Sequence, residues 1–145
     1  IAPGRGAVLL VDTSAWIEVF RKPARVDVGH LGDLDEIVTC LPVIQEVLQG
    51  FTEERAFRTA REAMWSLPVV ESPLGAGVFE EAVGLYRMAR RAGLTIRSGV
   101  DCLVAACALR HALTVVHVDR DFDLLARVTP LQQRALRGGG SAGPP

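Results

Sequence analysis

Ala7-Val8-Leu9-Leu10-Val11-Asp12 is the stretch of sequence that decides the fold. Its near-continuous apolar run is typical of a strand that is covered on both faces of a parallel sheet. The helical pattern that follows, at 13–20, ends near Pro23. Strand and helix patterns alternate along the rest of the chain, and this order predicts an α/β fold with a mainly parallel central sheet.

The remaining elements follow without an internal repeat. We therefore expect a single domain over 7–136, with flexible termini at 1–6 and 137–145. Further strands are predicted at 36–40, at 67–70, at 114–118 and from Val128 onward. Further helices are predicted within 24–35 and at 42–50, 53–66, 76–92, 99–111 and 121–126. Pro68 favours an edge position for the strand that contains it. The apolar stripe of the 76–92 helix consists of Phe79, Val83, Tyr86 and either Ala89 or Arg90.

Composition narrows the class of protein. The net charge of −1 over 145 residues does not favour a sequence-independent nucleic-acid binder, which is usually basic. Three cysteines without a CxxC motif indicate a reducing compartment and no disulfide framework, and the three scattered histidines, which lack metal-ligand spacing, argue against a zinc site. No apolar run reaches the roughly 18 residues that predict a membrane span. Without a signal-peptide pattern at the start, we expect a cytoplasmic protein.

Four acidic residues stand at strand ends or early in helices. Asp12 closes the first strand, Glu46 lies just beyond the second, Asp101 opens an apolar helical run and Asp119 follows the strand at 114–118. In a parallel α/β sheet these positions share one edge, where ligands bind. Carboxylates that gather repel one another, and a hard divalent cation with oxygen ligands removes that repulsion. The pattern therefore suggests Mg²⁺ or Mn²⁺ and phosphate chemistry.

Each acid taken alone also has an ordinary structural explanation. Asp12 and Asp119 are good candidates for helix N-caps. Ser98 and Asp101 have the spacing of a capping box, and Glu46 fits a solvated helix position. Position and context together favour the metal site, but for each single residue both interpretations stay open.

Four segments resemble the motifs of PIN-domain nucleases and, within that group, of VapC-type toxins from bacterial toxin–antitoxin pairs. The resemblance extends from about residue 7 to about residue 136. Its segments are Leu10-Val11-Asp12-Thr13-Ser14-Ala15-Trp16-Ile17, Gln45-Glu46-Val47-Leu48-Gln49-Gly50, Ile96-Arg97-Ser98-Gly99-Val100-Asp101-Cys102-Leu103-Val104-Ala105-Ala106 and His117-Val118-Asp119-Arg120-Asp121-Phe122-Asp123.

The resemblance implies a three-layer α/β/α sandwich and Mg²⁺- or Mn²⁺-dependent cleavage of RNA. By matching position, the metal-binding and catalytic acids are Asp12, Glu46, Asp101 and Asp119. Asp121 is then expected to act behind the metal ligands or as a helix cap. Many family members carry Thr or Ser where this chain has His117, so the role of position 117 is open.

Other roles also follow from the resemblance. It implies a VapB-like antitoxin partner, bound in a groove near Trp16, Phe20, Val47 and Leu48, and a homodimer. Ile17 is expected to be ordinary core. On the hypothesis of a metal-activated water, Thr13 or Ser14 and Arg97 could contact the RNA phosphate. Their ordinary roles, as helix-start residues and a surface arginine, are equally open.

Two related chemistries are disfavoured by missing residues. A haloacid-dehalogenase-like phosphatase needs a second Asp where this chain has Ser14, and a response-regulator receiver needs a late Lys, whereas Lys22 is the only lysine. Two alternatives stay open: a catalytically silent module of the same fold that binds proteins, and a metal-dependent DNA nuclease.

Overall fold

Residues 7–136, which a computed structural model describes, contain a parallel five-stranded sheet in the order β3-β2-β1-β4-β5. Its strands are β1 (Leu9–Val11), β2 (Ile37–Cys40), β3 (Val69–Val70), β4 (Thr114–His117) and β5 (Gln132–Ala135). β1 pairs Leu10 with Val38 on one side and with Val115 on the other. The expected flexible termini lie outside the described residues.

Six α-helices connect the strands in this part of the chain: α1 (Thr13–Phe20), α2 (Leu41–Gln49), α3 (Glu54–Trp65), α4 (Ala76–Arg91), α5 (Gly99–Arg110) and α6 (Arg120–Val128). Three of them begin at a recognisable local signal. Asp12 and Asp119 cap α1 and α6 with their side chains, and Pro42 occupies the first turn of α2, where its missing N–H is tolerated. No helix within 7–136 is long and apolar enough to cross a membrane.

The central strands are covered on both faces. Every residue of β1 is buried, as are Val115, Val116 and His117 of β4. A strand with no exposed face must have helices on both sides of its sheet, and the fold is therefore the predicted α/β/α sandwich. Cys40, Cys102 and Cys107 are free and buried.

Three local predictions differ from the structure. Val128 ends α6 rather than starting a strand, and the last strand begins at Gln132, after Pro130. The short helix expected within 24–35 is present as two 3₁₀ helices, Val28–His30 and Leu34–Glu36, rather than as an α-helix.

The third difference concerns α4. Its buried stripe is Val78, Ala82, Leu85 and Ala89, whereas Phe79 and Val83 of the predicted stripe are 48% and 57% exposed. The helix has two apolar stripes side by side, and periodicity alone cannot tell which one faces the core.

Two features of the topology determine where a site can form. β1 and β4 are neighbours in the sheet, and the connection after β1 leads to β2 on one side while the connection after β4 leads to β5 on the other. The two connections therefore diverge and open a crevice at the carboxyl ends of β1 and β4. α4 and α5 form an antiparallel pair. Gly93, with a φ of 80°, permits the turn between them by donating its N–H to the Arg90 carbonyl, while the Leu94 N–H bonds to Ala89. This turn directs the first turn of α5 toward the crevice.

Candidate active site

Asp12 lies at the carboxyl end of β1 and is almost fully buried. Its Oδ2 accepts hydrogen bonds from the Ser14 backbone N–H at 3.0 Å and from the Ser14 hydroxyl at 2.7 Å. Its Oδ1 is buried and has no hydrogen-bond partner. Asp12 is therefore a helix cap, as the ordinary explanation held, but capping uses only one of its two oxygens.

Ser14 connects the Asp12 side of the crevice to the β4 side. Its hydroxyl donates to Asp12 and accepts the backbone N–H of Val118 at 2.9 Å. Val118 directly precedes Asp119, whose Oδ1 caps α6 by accepting the Asp121 N–H at 2.9 Å. A single hydroxyl thus holds the ends of the two central strands together.

Asp101, Asp119 and Asp121 form a tight acidic cluster in which one oxygen from each side chain lies within 4.8 Å of the others. Asp101 comes from the first turn of α5 and is 5% exposed, and Asp121 from the first turn of α6 is 1% exposed. One oxygen of each, Asp101 Oδ2 and Asp121 Oδ1, is buried without a hydrogen-bond partner.

Asp121 also anchors the entry to α5. Its Oδ2 accepts the backbone N–H groups of Arg97 at 3.0 Å and Ser98 at 3.2 Å. Ser98 makes no side-chain cap to α5, so the capping-box spacing does not explain Asp101. The loop before α5 is held by the aspartate of α6, which places Asp101 beside Asp119.

Glu46 reaches the cluster from α2. The hydroxyl of Thr13 donates to its Oε1 at 3.0 Å, and the side chain is only partly buried. The charges of Asp12 and Asp119 both act on Glu46. The structure therefore brings all four predicted acids to one edge of the sheet, from four different elements.

The acids destabilise one another's charged forms. Burial, and then the charge of Asp119, raise the pKa of Asp12. Burial, with smaller effects from Asp12 and Asp119, raises the pKa of Glu46. The pKa of Asp101 is raised well above its usual range by burial first, then by hydrogen bonding to Asp121 and by the charges of Asp12 and Asp119.

The donor set fits a hard divalent cation. All of its candidate ligand atoms are carboxylate oxygens, the type that Mg²⁺ and Mn²⁺ prefer, and no Cys or His belongs to the close cluster. Buried carboxylate oxygens without partners are costly, and an ion would satisfy them. The unpartnered oxygens belong to Asp12, Asp101 and Asp121.

Comparison with known proteins agrees with this geometry. A family model described as the PIN domain matches residues 9–128, which is most of the chain. The chain belongs to the PIN-domain family. Ribonuclease VapC11 of Mycobacterium tuberculosis is 42% identical over 135 residues, covering 90% of this chain and 100% of the relative. The family indicated by the sequence motifs is confirmed.

Solved structures share the PIN fold. VapBC2 from Rickettsia felis, solved bound to a DNA fragment from its promoter, has a TM-score of 0.69 at 16% identity and covers 89% of this chain and 98% of its own. VapBC-5 from Mycobacterium tuberculosis, a member of the VapBC family of toxin-antitoxin systems, has a TM-score of 0.62 at 21% identity, with coverage of 90% and 98%. At these identities the likeness shows the fold alone.

His117 holds the fourth acid of this PIN domain in place. The side chain is fully buried, and its Nδ1 accepts the Asp119 backbone N–H at 3.0 Å. Since Nδ1 is the acceptor, Nε2 carries the proton and donates to Gln133 Oε1 at 2.6 Å. The ring acceptor thus supports the turn that presents Asp119, a role that a Thr or Ser hydroxyl at this position can also fill. The bond from Nε2 to Gln133 is specific to the histidine.

An apolar groove of about 250 Å³ adjoins the acids of the PIN domain. Phe20 and Val47 line it, as the sequence led us to expect, but Trp16 is buried at 4% exposure and Leu48 packs against the core. Ile17, expected in the core, is 50% exposed. The lining residues are Ile17, Phe20, Arg21, Glu46, Val47, Gly50 and Phe51.

The structure adds detail for three residues. Asp121, expected to act behind the metal ligands or as a helix cap, lies within the closest group of carboxylates, and the side-chain cap of α6 is Asp119. Its burial follows from its place beside Phe122 on the inner side of α6, a signal that helical periodicity offers. Thr13 and Ser14 hydrogen-bond to acids, so their hydroxyls orient Glu46 and Asp12.

We expect Asp101→Asn to stabilise the metal-free protein at high pH. The raised pKa means that the unfolded chain ionises at about pH 3.9, before the folded protein does, so stability falls as pH rises toward the folded pKa. The asparagine amide does not ionise, so the variant does not lose this stability. The loss in wild type is about 1.4 kcal/mol for each unit by which the pKa is raised. By urea unfolding in EDTA, the free energy of unfolding of the variant should exceed that of wild type near about pH 8. The two values should be nearly equal near about pH 4.

The control is Asp35→Asn, which removes an exposed carboxylate far from the cluster. It should change stability little at either pH. If Asp101→Asn and wild type differed in free energy of unfolding by the same amount at both pH values, the carboxylate would not be destabilised by its surroundings.

We expect His117→Phe to weaken divalent-metal binding about 10-fold, because residues behind metal ligands typically contribute 10- to 100-fold. His117→Asn should restore much of the affinity, since its Oδ1 can accept the Asp119 N–H. Isothermal titration with Mn²⁺ measures both variants. Equal losses for Phe and Asn would mean that the ring fills space and does not position Asp119.

Proposed function

We propose that this PIN domain is a divalent-metal-dependent endoribonuclease and the toxin of a type II toxin–antitoxin pair, acting in the cytoplasm. The ribonuclease named VapC11, at 42% identity over its whole length, supports the RNA substrate. The toxin-antitoxin system VapBC-5, with the same fold, supports the biological setting. The domain that carries the activity is 7–136.

One observation carries the proposal: carboxylate oxygens from three separate elements are buried together without partners. Buried carboxylates that serve only as caps have their oxygens satisfied by backbone N–H groups. Here capping satisfies one oxygen of Asp12 and leaves the other, and Asp101 caps nothing. A binding site for a cation explains why these oxygens stay unpaired.

The ion, proposed to be Mg²⁺ or Mn²⁺, would be held by Asp12, Asp101 and Asp119, with Asp121 close enough to join or to support them. When bound, it supplies Lewis-acid stabilisation of the charge that develops on the phosphoryl oxygens during hydrolysis. The protein residues then have to place the RNA phosphate and the attacking water. No side-chain nucleophile is required.

Glu46 is suited to orient that water and accept its proton. Its raised pKa makes it a better base than an ordinary glutamate, and the Thr13 hydroxyl fixes one oxygen and leaves the other available. Glu46 also borders the open groove, so water can reach it. Binding of a second ion by Glu46 is the other role compatible with its position.

Arg97 and Arg120 are proposed to contact phosphates beside the cleaved bond. Both are exposed next to acids of the site, and within 7–136 neither forms an ion pair. Arg97 is held in place through its backbone by Asp121. An unpaired guanidinium beside a carboxylate cluster can offset the repulsion between the acids and the RNA.

The apolar groove is proposed to bind a segment of the VapB-like antitoxin. Phe20 stacks on Trp16 with ring centroids 5.8 Å apart and meets Phe51 edge-on at 5.6 Å, which gives the groove a rigid aromatic wall. Glu46 at its end could receive an Arg or Lys of the antitoxin, which would block the site. The homodimer expected from the family stays a prediction.

We expect Asp12→Asn to reduce RNA cleavage by at least about 100-fold, the scale on which groups acting in the transition state contribute. Total RNA is incubated with wild type and variant in Mn²⁺, in Mg²⁺ and in EDTA. Wild type should cut only with metal, and added metal should raise its melting temperature because the ion binds the native state. Equal cleavage by both proteins would mean a contaminant or a wrongly assigned site.

The same experiment separates the alternatives. Single- and double-stranded DNA offered in parallel would reveal a DNA nuclease. A protein that shows no metal-dependent rise in melting temperature and cuts neither polymer would be a catalytically silent binding module.

We expect Ile17→Asp to weaken antitoxin binding about 10- to 100-fold while RNA cleavage is retained, because a charge in an apolar groove costs affinity without touching the acids. Val83→Asp is the matched control, since it places the same charge at an equally exposed apolar position on α4. Binding of the cognate antitoxin by calorimetry measures the effect. Equal losses of affinity in both variants would show an effect of the added charge rather than of the groove, and unchanged affinity in Ile17→Asp would place the antitoxin elsewhere.

A further inference from the structure

Three arginines cluster at the end of α4. Arg87, Arg90 and Arg91 are exposed at i, i+3 and i+4 spacing, so they share one face of the helix. Together they line a shallow concavity of about 330 Å³. We call them the α4 arginine cluster.

The α4 arginine cluster has no counter-charge in the described chain. Within 7–136 no ion pair involves these side chains, whereas Arg21, Arg58 and Arg110 all lie against glutamates. No acidic residue stands three or four positions from any of the cluster's members along α4.

Helix energetics explain only part of the cluster. Arg90 and Arg91 lie in the last turn of α4, where positive charge complements the helix dipole. Arg87 lies before that turn, and its like-charged neighbours at i+3 and i+4 each cost a few tenths of a kcal/mol, roughly 0.2–0.5. Three cations held together without a partner indicate a surface that meets an anion.

The antiparallel packing of α4 and α5 brings the end of α4 that carries this cluster level with the acids, while the cluster itself faces away from the buried stripe of α4. At the far end of the pair, a Cβ on Gly77 would lie 2.9 Å from the Arg110 guanidinium. Along the pair, Tyr86 shares a cavity wall with Gly99 and Val100. Arg87 and the residues after it are therefore level with the first turn of α5, which carries Asp101. Packed helices have axes roughly 8–10 Å apart, so the cluster is within a few nucleotides of the acidic centre.

We propose that the α4 arginine cluster is a second binding site, which holds the phosphodiester backbone of the RNA beside the cleaved bond. The inference rests on the proposed ribonuclease function and adds a location to it. RNA carries a charge on every nucleotide and is repelled by a centre of five carboxylates on a chain of net charge −1. Arginine binds phosphate oxygens through two parallel hydrogen bonds, so a local cluster compensates for this repulsion.

The test compares two triple variants with the same change of charge. R87Q/R90Q/R91Q removes the cluster, and R55Q/R58Q/R61Q removes three exposed arginines from α3. Binding of a mixed-sequence single-stranded RNA oligonucleotide is followed by fluorescence anisotropy in EDTA, which prevents cleavage. Salt is varied between about 50 and 200 mM.

We expect the cluster variant to bind RNA at least about 10-fold more weakly at low salt. Its plot of log affinity against log salt should lose about 2 units of slope, which corresponds to three phosphates at about 0.7 each. The α3 variant should stay close to wild type. In Mn²⁺, KM for the oligonucleotide should be higher for the cluster variant than for wild type. Both proteins should cleave a dinucleotide, which is too short to reach α4, at the same rate.

The outcomes distinguish this inference from the function on which it rests. Wild type that cuts RNA while both triple variants bind it equally well would overturn the second site and leave the nuclease standing. Equal losses in both variants would show an effect of overall charge, which also overturns it. A cluster variant that loses dinucleotide cleavage would show that these arginines act on the acids themselves, which overturns a separate site. A wild type that neither binds nor cuts RNA would end both proposals.

Discussion

Repulsion between buried carboxylates is the constraint on which the rest of this structure depends. Asp12, Asp101 and Asp121 each keep one buried oxygen without a hydrogen-bond partner, and their neighbours are other acids. Burial raises the pKa of Asp12 and Asp101, so without a metal these carboxyl groups take up protons more readily than exposed ones do. The fold must be stable enough elsewhere to tolerate this cost, and the buried residues of β1 and β4 supply the packing that does so.

Hydrogen bonds from neighbouring groups limit the free-energy cost of burying the acids. Hydroxyls of Thr13 and Ser14, an imidazole nitrogen of His117 and backbone N–H groups of Arg97 and Ser98 fix the acids or the loops that carry them. All are neutral groups. Neutral donors and acceptors can orient carboxylates without neutralising them, so the negative charge stays available for a cation.

The strand–helix order could be predicted from the sequence. So could the place of β3 at the side of the sheet and the meeting of the four acids at its carboxyl end. Each depends on local pattern or on a general property of parallel sheets. The exposed face of α4 could not, since two apolar stripes compete and only tertiary packing selects between them. The place of Asp121 depends on its bond to the distant Arg97 backbone, and that of His117 on Gln133 of β5. Contacts of this kind join residues that no local pattern relates.

The hydroxyl of Ser14 has a consequence for how the domain can move. By bonding both to Asp12 and to the Val118 N–H, it fastens α1 to the loop that precedes α6. Two of the acids are therefore held at a fixed spacing in the metal-free protein, which limits the conformational entropy that binding an ion would cost. Any change in the width of the crevice would have to move α2 or α5, whose links to the other acids are the Thr13–Glu46 bond and the bonds from the Arg97 and Ser98 N–H groups to Asp121.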